Sequence, residues 1–158
     1  MSRFTDCFAH VVGLEGGYSN DPHDPGGETM YGITRRDHPS AFADGPPSLE
    51  VAQRIYENEY WRAAGCDRLP VPYDLLVFDA AVNQGIYPAV SMMQKALGVT
   101  PDGRVGPVTI AACQTASAEG PALCLAERAL RYSQTNGFAR YGKGWLKRTY
   151  LIAMACAR

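Results

Sequence analysis

The chain lacks the cysteine pattern of a metal centre or a cross-linked scaffold. Cys7, Cys66, Cys113, Cys124 and Cys156 are odd in number and scattered, with no CxxC pair, which argues against a metal cage or a dense disulfide framework. Most of them read as small core residues. Histidine is equally sparse. His10, His23 and His38 show no metal-ligand spacing, so a zinc amidase is not expected and no cofactor is called for. Cys7 and His10, one helical turn apart with no orienting partner, make a poor thiol-peptidase dyad. Long apolar runs are missing too. The longest, Tyr150 to Ala157, is far too short to span a bilayer. At the N-terminus Asp6 and His10 interrupt the only candidate apolar segment, so no secretory signal is visible. The expectation is synthesis in the host cytoplasm, with any extracytoplasmic target reached through a separate factor. Repeats and low-complexity tracts are absent, and strand patterns are scarce.

What is present suits one ordinary domain, or one domain with a small appended lobe. The chain has 158 residues, 46% of them hydrophobic and 20% charged, the balance of a globular protein. A net charge of −1 hides an asymmetry. Residues 1–80 carry 13 Asp and Glu against 6 Lys and Arg. Residues 120–158 carry Arg128, Arg131, Arg140, Lys143, Lys147, Arg148 and Arg158 against Glu127 alone. An acidic front suits a cleft built from carboxylates. A basic tail suits an anionic surface such as cell wall, lipid or nucleic acid, or is simply a solvated helix face.

Periodicity and capping residues predict a mainly helical chain. Ser2 caps a helix over about 3–15, with Phe4, Phe8, Val11 and Val12 on one face. It runs into Glu15 and is expected to break at Gly16-Gly17. The segment 16–47 is rich in turn formers and too long to be structureless unless it carries function; a short β-hairpin fits inside it. Ser48 caps a helix to about 64, with Leu49, Ala52, Ile55 and Tyr56 on its buried side. Further helices are expected over 72–84, from Pro88 through Leu97, from Pro107, and near 121–135 and 140–157.

The stretch 15–34, Glu-Gly-Gly-Tyr-Ser-Asn-Asp-Pro-His-Asp-Pro-Gly-Gly-Glu-Thr-Met-Tyr-Gly-Ile-Thr, carries the chemistry. Glu15, Asp24 and Thr29 follow the spacing Glu-x8-Asp-x4-Thr. Glycosidic cleavage needs a carboxylic acid that stays protonated near neutral pH, and a second group across the cleft as nucleophile, base or water-positioning residue. A glutamate at the end of an apolar helix, partly shielded from water, is placed to have a raised pKa. Asp24 and Thr29 are the right types for the second job, although Asp24 also fits an Asx-turn before Pro25 and Thr29 a hydrogen bond to loop backbone. Gly26, Gly27 and Gly32 let the backbone approach a sugar ring. Glu28 and Asp21 read as solvated or loop-bracing. Tyr18 and Tyr31 either stack on sugar faces or pack the loop. Asn83 and Gln84, ending an apolar helix, could hydrogen-bond an N-acetyl group. Asp79, one turn earlier, reads as structural. Trp61 and Trp145 read as core.

The motif Glu-Gly-Gly-Tyr-x-Asn-Asp-Pro-x-Asp-Pro-Gly-Gly-x-Thr-x-x-Gly-Ile-Thr resembles the signature of glycoside hydrolase family 108, bacterial and phage muramidases of the lysozyme-like superfamily. The resemblance implies that Glu15 is the catalytic acid, and its likeness to phage-type lysozymes extends that role-sharing to Asp24 and Thr29. Downstream, Gln94 to Thr109, with Leu97-Gly98-Val99-Thr100-Pro101-Asp102-Gly103 and Gly106-Pro107, resembles a peptidoglycan-binding region of the same family. Phe138 to Lys147 looks like its C-terminal helix. The implied protein is a lysozyme-like helical unit. Its catalytic lobe covers 1–70 and its wall-binding lobe 71–158, packed as one compact unit. It cleaves peptidoglycan glycan strands as an endolysin, and acts as a monomer on the wall. Neither nucleic acid nor stable membrane insertion is expected, and the basic C-terminal helix (Lys143, Lys147, Arg148) is assigned to anionic envelope. The competing readings are a lytic transglycosylase, a non-catalytic wall-binding or secretion-associated module, and a calcium loop at Asn20-Asp21 to Glu28.

Overall fold

The structure, a computed structural model, describes residues 2–20 and 27–157. Its elements are α1 (Arg3–Val12), a hairpin of β1 (Thr29–Met30) and β2 (Ile33–Thr34), α2 (Leu49–Tyr56), α3 (Tyr73–Gln84), α4 (Ile86–Ala96), α5 (Pro107–Thr115), α6 (Gly120–Ser133) and α7 (Phe138–Cys156). The mainly helical class with one small hairpin is the one the sequence predicts. The backbone divides into two compact units, Met1–Glu59 and Tyr60–Arg158.

In the first unit, Ser2 caps α1 by accepting from the Thr5 amide at 3.3 Å. Phe4, Cys7, Phe8 and Val11 form the buried stripe. The helix stops earlier than expected. Gly13, not Gly16-Gly17, ends it, and the chain tightens there into i→i−3 bonds, Leu14 N–H to Val11 O and Glu15 N–H to Val12 O. Glu15 therefore sits in a tight turn beyond the helix. Ser48 caps α2 through the Val51 amide. Leu49, expected on the buried side, is 47% exposed. As the first helical residue it precedes the stripe that Ala52 and Tyr56 bury. From Tyr56 the helix widens into a π-helical stretch, Glu57–Arg62.

The second unit is built around α3, whose residues Tyr73 to Ala81 are all buried, Asp74 and Asp79 included; a helix buried on every side sits at the centre of a bundle. It packs against α4, α6 and α7. Gly85, at φ +92°, ends α3 and turns directly into α4, so α4 starts at Ile86 and Pro88 falls within its first turn, where a missing N–H costs nothing. Pro107 opens α5 as expected. Trp61 lies in the core, edge-on to Phe78 with ring centroids 5.4 Å apart. Cys7, Cys66, Cys113 and Cys124 are buried and Cys156 half-buried, none of them in a disulfide. Burial pushes the Cys124 thiol up to about 12 and the Cys113 thiol up to about 11.

Candidate active site

The hairpin is the scaffold of the site. Thr29 pairs with Thr34 and Met30 with Ile33, leaving Tyr31 and Gly32 as a two-residue turn. Both have positive φ, +53° and +77°, the requirement of a type I′ turn, whose twist matches that of the strands it joins. Ser19 adds a third row by exchanging backbone hydrogen bonds with Thr29 at 2.9 and 2.8 Å. The return of the chain from Glu15 is thereby stitched to β1.

Glu15 is half-buried and its carboxylate lies against the hairpin turn. A β-carbon placed on Gly32 would come within 2.7 Å of Tyr56 Oη and 2.9 Å of Glu15 Oε2. Only glycine accepts both the backbone angle and that approach. Tyr56, at the end of α2, donates its hydroxyl to Tyr31 O at 2.8 Å, and its ring meets Phe8 of α1 edge-on. One tyrosine thus ties α1, the hairpin turn and α2 together. Tyr56 was read from the sequence only as a core residue. Its hydroxyl, a polar group on an otherwise buried stripe, was the available signal.

The outer side of the hairpin is braced by charge. Glu28 Oε1 accepts from Tyr18 Oη at 3.0 Å, and Oε2 meets Arg35 Nε at 2.7 Å and Nη2 at 2.5 Å. Arg35 also lies over the Phe42 ring, 5.0 Å from its centroid. The Glu28 carboxylate pushes the Tyr18 phenol above its ordinary value. Glu28 is loop-bracing, and Tyr18, though exposed, is held on this brace. Thr29 Oγ1 donates to Gly27 O at 3.0 Å, so in this arrangement it supports the loop backbone. Asp24, Asp21 and Gly26 lie outside the described residues, as does part of the candidate calcium loop. A hollow of about 550 Å³ in the same unit is lined by residues such as Ser40, Asp44, Pro46, Arg54 and Asn58; of these the sequence marks Asp44 and Pro46 as turn formers and gives none a functional part. Among the described residues no group of His, Cys, Asp or Glu could hold a metal ion.

Asn83 and Gln84 belong to the second unit, at the end of α3. Asn83 is exposed, and its Oδ1 accepts from the Tyr132 hydroxyl, which itself accepts from Arg128 Nε and Nη2 at 3.2 and 3.1 Å. That relay uses the carbonyl of Asn83. The buried Oε1 of Gln84 has no hydrogen-bond partner among the described residues. Behind them Asp79, wholly buried, binds Arg128 at 2.5 Å and Arg148 at 2.8 Å. Asp79 is structural, pinning α6 and α7 to α3.

The wall-binding-like motif also resolves into residues. Buried Gln94 of α4 donates to Asp102 Oδ1 at 2.7 Å, Arg104 O at 3.0 Å and Thr109 Oγ1 at 3.0 Å, and accepts from the Gly103 amide at 2.8 Å. Hydrogen bonds from Gln94 and the Arg104 amide hold the Asp102 carboxyl below its usual range. Asp102-Gly103 is therefore turn chemistry, organised by the amide of Gln94, to which the motif alone gives no role.

Comparison with known proteins agrees with this architecture. A family profile described as Glycosyl hydrolase 108 matches residues 8–85, and one described as Predicted Peptidoglycan domain matches residues 88–150. Among curated proteins none matches the chain. Among solved structures, that of Brucella abortus SagA is similar at 34% identity, with a TM-score of 0.79, over 98% of this chain and 95% of the other. A likeness of that level over nearly the full length, joined to the motif around Glu15, places the chain in the glycosyl hydrolase 108 family: it is a glycoside hydrolase that carries a peptidoglycan domain.

Proposed function

We propose that the chain is an N-acetylmuramidase, hydrolysing the β-1,4 bond between N-acetylmuramic acid and N-acetylglucosamine in peptidoglycan. Glu15 donates its proton to the glycosidic oxygen as the C1–O bond breaks, water supplies the hydroxyl that ends on C1, and the proton that water gives up restores the Glu15 carboxyl. Asp24 and Thr29 are assigned to the opposite face, stabilising the oxocarbenium-like charge or positioning that water. Tyr18, Tyr31, Asn83 and Gln84 are assigned to sugar contacts. The observation that carries this reading is the seat of Glu15: a half-buried carboxylate in a tight turn, held against a hairpin whose Gly32 leaves no side chain in between. Exposed Asn83 carries an amide NH2 group, a donor of the kind an N-acetyl carbonyl accepts.

Digestion of purified peptidoglycan tests it. Wild type should clear turbid wall and release fragments with reducing-end muramic acid. Glu15→Gln should lower the rate by about two to four orders of magnitude, the usual weight of a general acid, with an unchanged melting profile. Anhydro-muramic ends would instead identify a transglycosylase, and full activity in Glu15→Gln would remove Glu15 from the chemistry.

An endolysin role, phage- or prophage-borne, belongs to the same proposal, with cytoplasmic synthesis and release to the wall by a separate permeabilising factor. Expression inside a host should lyse cells only when such a factor is co-expressed; lysis without it would overturn that part.

A further inference from the structure

Helix α7 has one face packed and one face open. Gly142, Thr149 and Ile152 are buried, and Trp145 stacks on Tyr132 with centroids 5.0 Å apart. On the opposite arc Lys143, Lys147, Tyr150, Leu151 and Met154 recur at three- and four-residue steps, the spacing of one helix face. Tyr150, Leu151 and Met154 expose 66%, 38% and 60% of their surface. A shallow groove runs along this face, lined by Phe138, Lys143, Leu146, Lys147 and Tyr150 among others.

The charge on this face has one sign. No Asp or Glu occurs between Phe138 and Cys156. Two of the cations on and beside α7 are engaged inward, Arg128 and Arg148 by Asp79, while exposed Arg140 lies over the Tyr141 ring, 5.2 Å from its centroid, and adds to the positive face. Arg148, which sequence reasoning counted on the basic face, points inward. Lys143 and Lys147 have no ion pair among the described residues. A solvated face has no use for three large apolar side chains beside them. A second copy of the chain would bring four lysines to one seam with no carboxylate between them. A bilayer with anionic headgroups accepts both features. Lysine stems lie along apolar surface with their ammonium groups in the phosphate layer, tyrosine favours the interface, and the apolar residues reach the acyl boundary. No helix among the described residues is long and apolar enough to cross a membrane, so the helix lies on the surface.

We propose that the outer face of α7 is a peripheral docking surface for anionic phospholipid bilayers, with Lys143 and Lys147 supplying the attraction and Tyr150, Leu151 and Met154 the shallow insertion. This is independent of the hydrolase reading, because it uses none of the candidate active-site residues.

Co-sedimentation of the full chain with sucrose-loaded vesicles tests it. The chain should pellet with phosphatidylcholine vesicles containing phosphatidylglycerol, should stay in solution with phosphatidylcholine alone, and should be released by high salt. Lys143→Glu/Lys147→Glu should lower the partition coefficient roughly tenfold or more, each cation near an anionic surface being worth about fivefold. Tyr150→Ser/Met154→Ser should also weaken binding while keeping the wild-type circular dichroism. Lys143→Glu/Lys147→Glu should likewise keep the wild-type circular dichroism and melting temperature. Equal pelleting of wild type and the charge-reversed variant would overturn the proposal. So would a concentration-dependent dimer in light scattering that Tyr150→Ser/Met154→Ser abolishes, since a second copy would then cover the face.

Discussion

At Gly32 the backbone angle is one that L side chains rarely adopt, and the space beside it is taken by Tyr56 Oη and Glu15 Oε2. Replacing it with alanine adds strain at positive φ and pushes on both groups. Gly32→Ala is expected to cost about 1–3 kcal/mol of stability and to reduce wall digestion by at least about tenfold, because displacing a catalytic group by a fraction of an ångström misaligns it. Gly16→Ala and Gly17→Ala are the controls, since a β-carbon there meets nothing within 4 Å; their urea midpoints should stay near wild type. A Gly32→Ala midpoint equal to those controls would remove the crowding. Glu15 and Gly32 were legible from spacing alone, one as an acid after an apolar stripe and the other as a turn former. The Tyr56 hydroxyl was not. Its direction depends on where a hairpin 25 residues earlier comes to rest.

Among the elements, the loop between α4 and α5 shows how a motif can be recognised and still be misplaced in its physics. The sequence Leu-Gly-Val-Thr-Pro-Asp-Gly reads as turns, and turns are what form, but the loop is held from beneath by Gln94, a polar residue on an otherwise apolar helix face. Gln94→Leu keeps the volume and removes those bonds, leaving the Gly103 amide and the Thr109 hydroxyl without it. The expected loss is about 2–4 kcal/mol, several hydrogen bonds at roughly 1 kcal/mol each plus desolvation of what remains. It would be read from chemical denaturation, together with faster exchange of the Gly103 amide. An unchanged midpoint would show that water replaces the amide at no cost. The helices themselves were readable because apolar residues recur with helical period. Their ends were not, because α1 stops where Gly13 tightens the turn and α4 starts where Gly85 reverses the chain.

For the molecule as a whole, buried charge and buried thiols set the expected responses. Asp79 compensates two arginines in the second unit, Arg128 almost wholly buried and Arg148 nearly so. Asp79→Asn leaves both without a counter-charge and should destabilise by about 3–5 kcal/mol, measured as a fall in melting temperature. A loss below about 1 kcal/mol would mean that water already reaches the cluster. Alkaline pH probes a different set. Tyr73 is pushed up to about 12 by burial first and by Cys124 and Cys113 after it, and the two thiols are raised for the same leading reason. A raised folded-state pKa on a neutral acid means stability that is complete below the unfolded value. For the thiols it is lost as pH climbs from about 9 toward 11 and 12. Melting temperature should therefore decline above pH 9, and Cys113→Ala/Cys124→Ala should decline less steeply. A parallel decline in both proteins would acquit the thiols.

Sequence by itself determined the class, the family and the acidic segment around Glu15, because helical period, capping serines and a motif of fixed spacing are local properties that need no partner. Tertiary structure decided which polar groups are spent and which remain. Arg148 reads as surface charge and is consumed by Asp79, Glu28 reads as solvated or loop-bracing and anchors Tyr18 and Arg35, and Gln94 reads only as the start of a wall-binding-like stretch and builds its loop. Each of those outcomes rests on a partner distant in the chain or on the direction of a side chain, and neither is encoded in spacing.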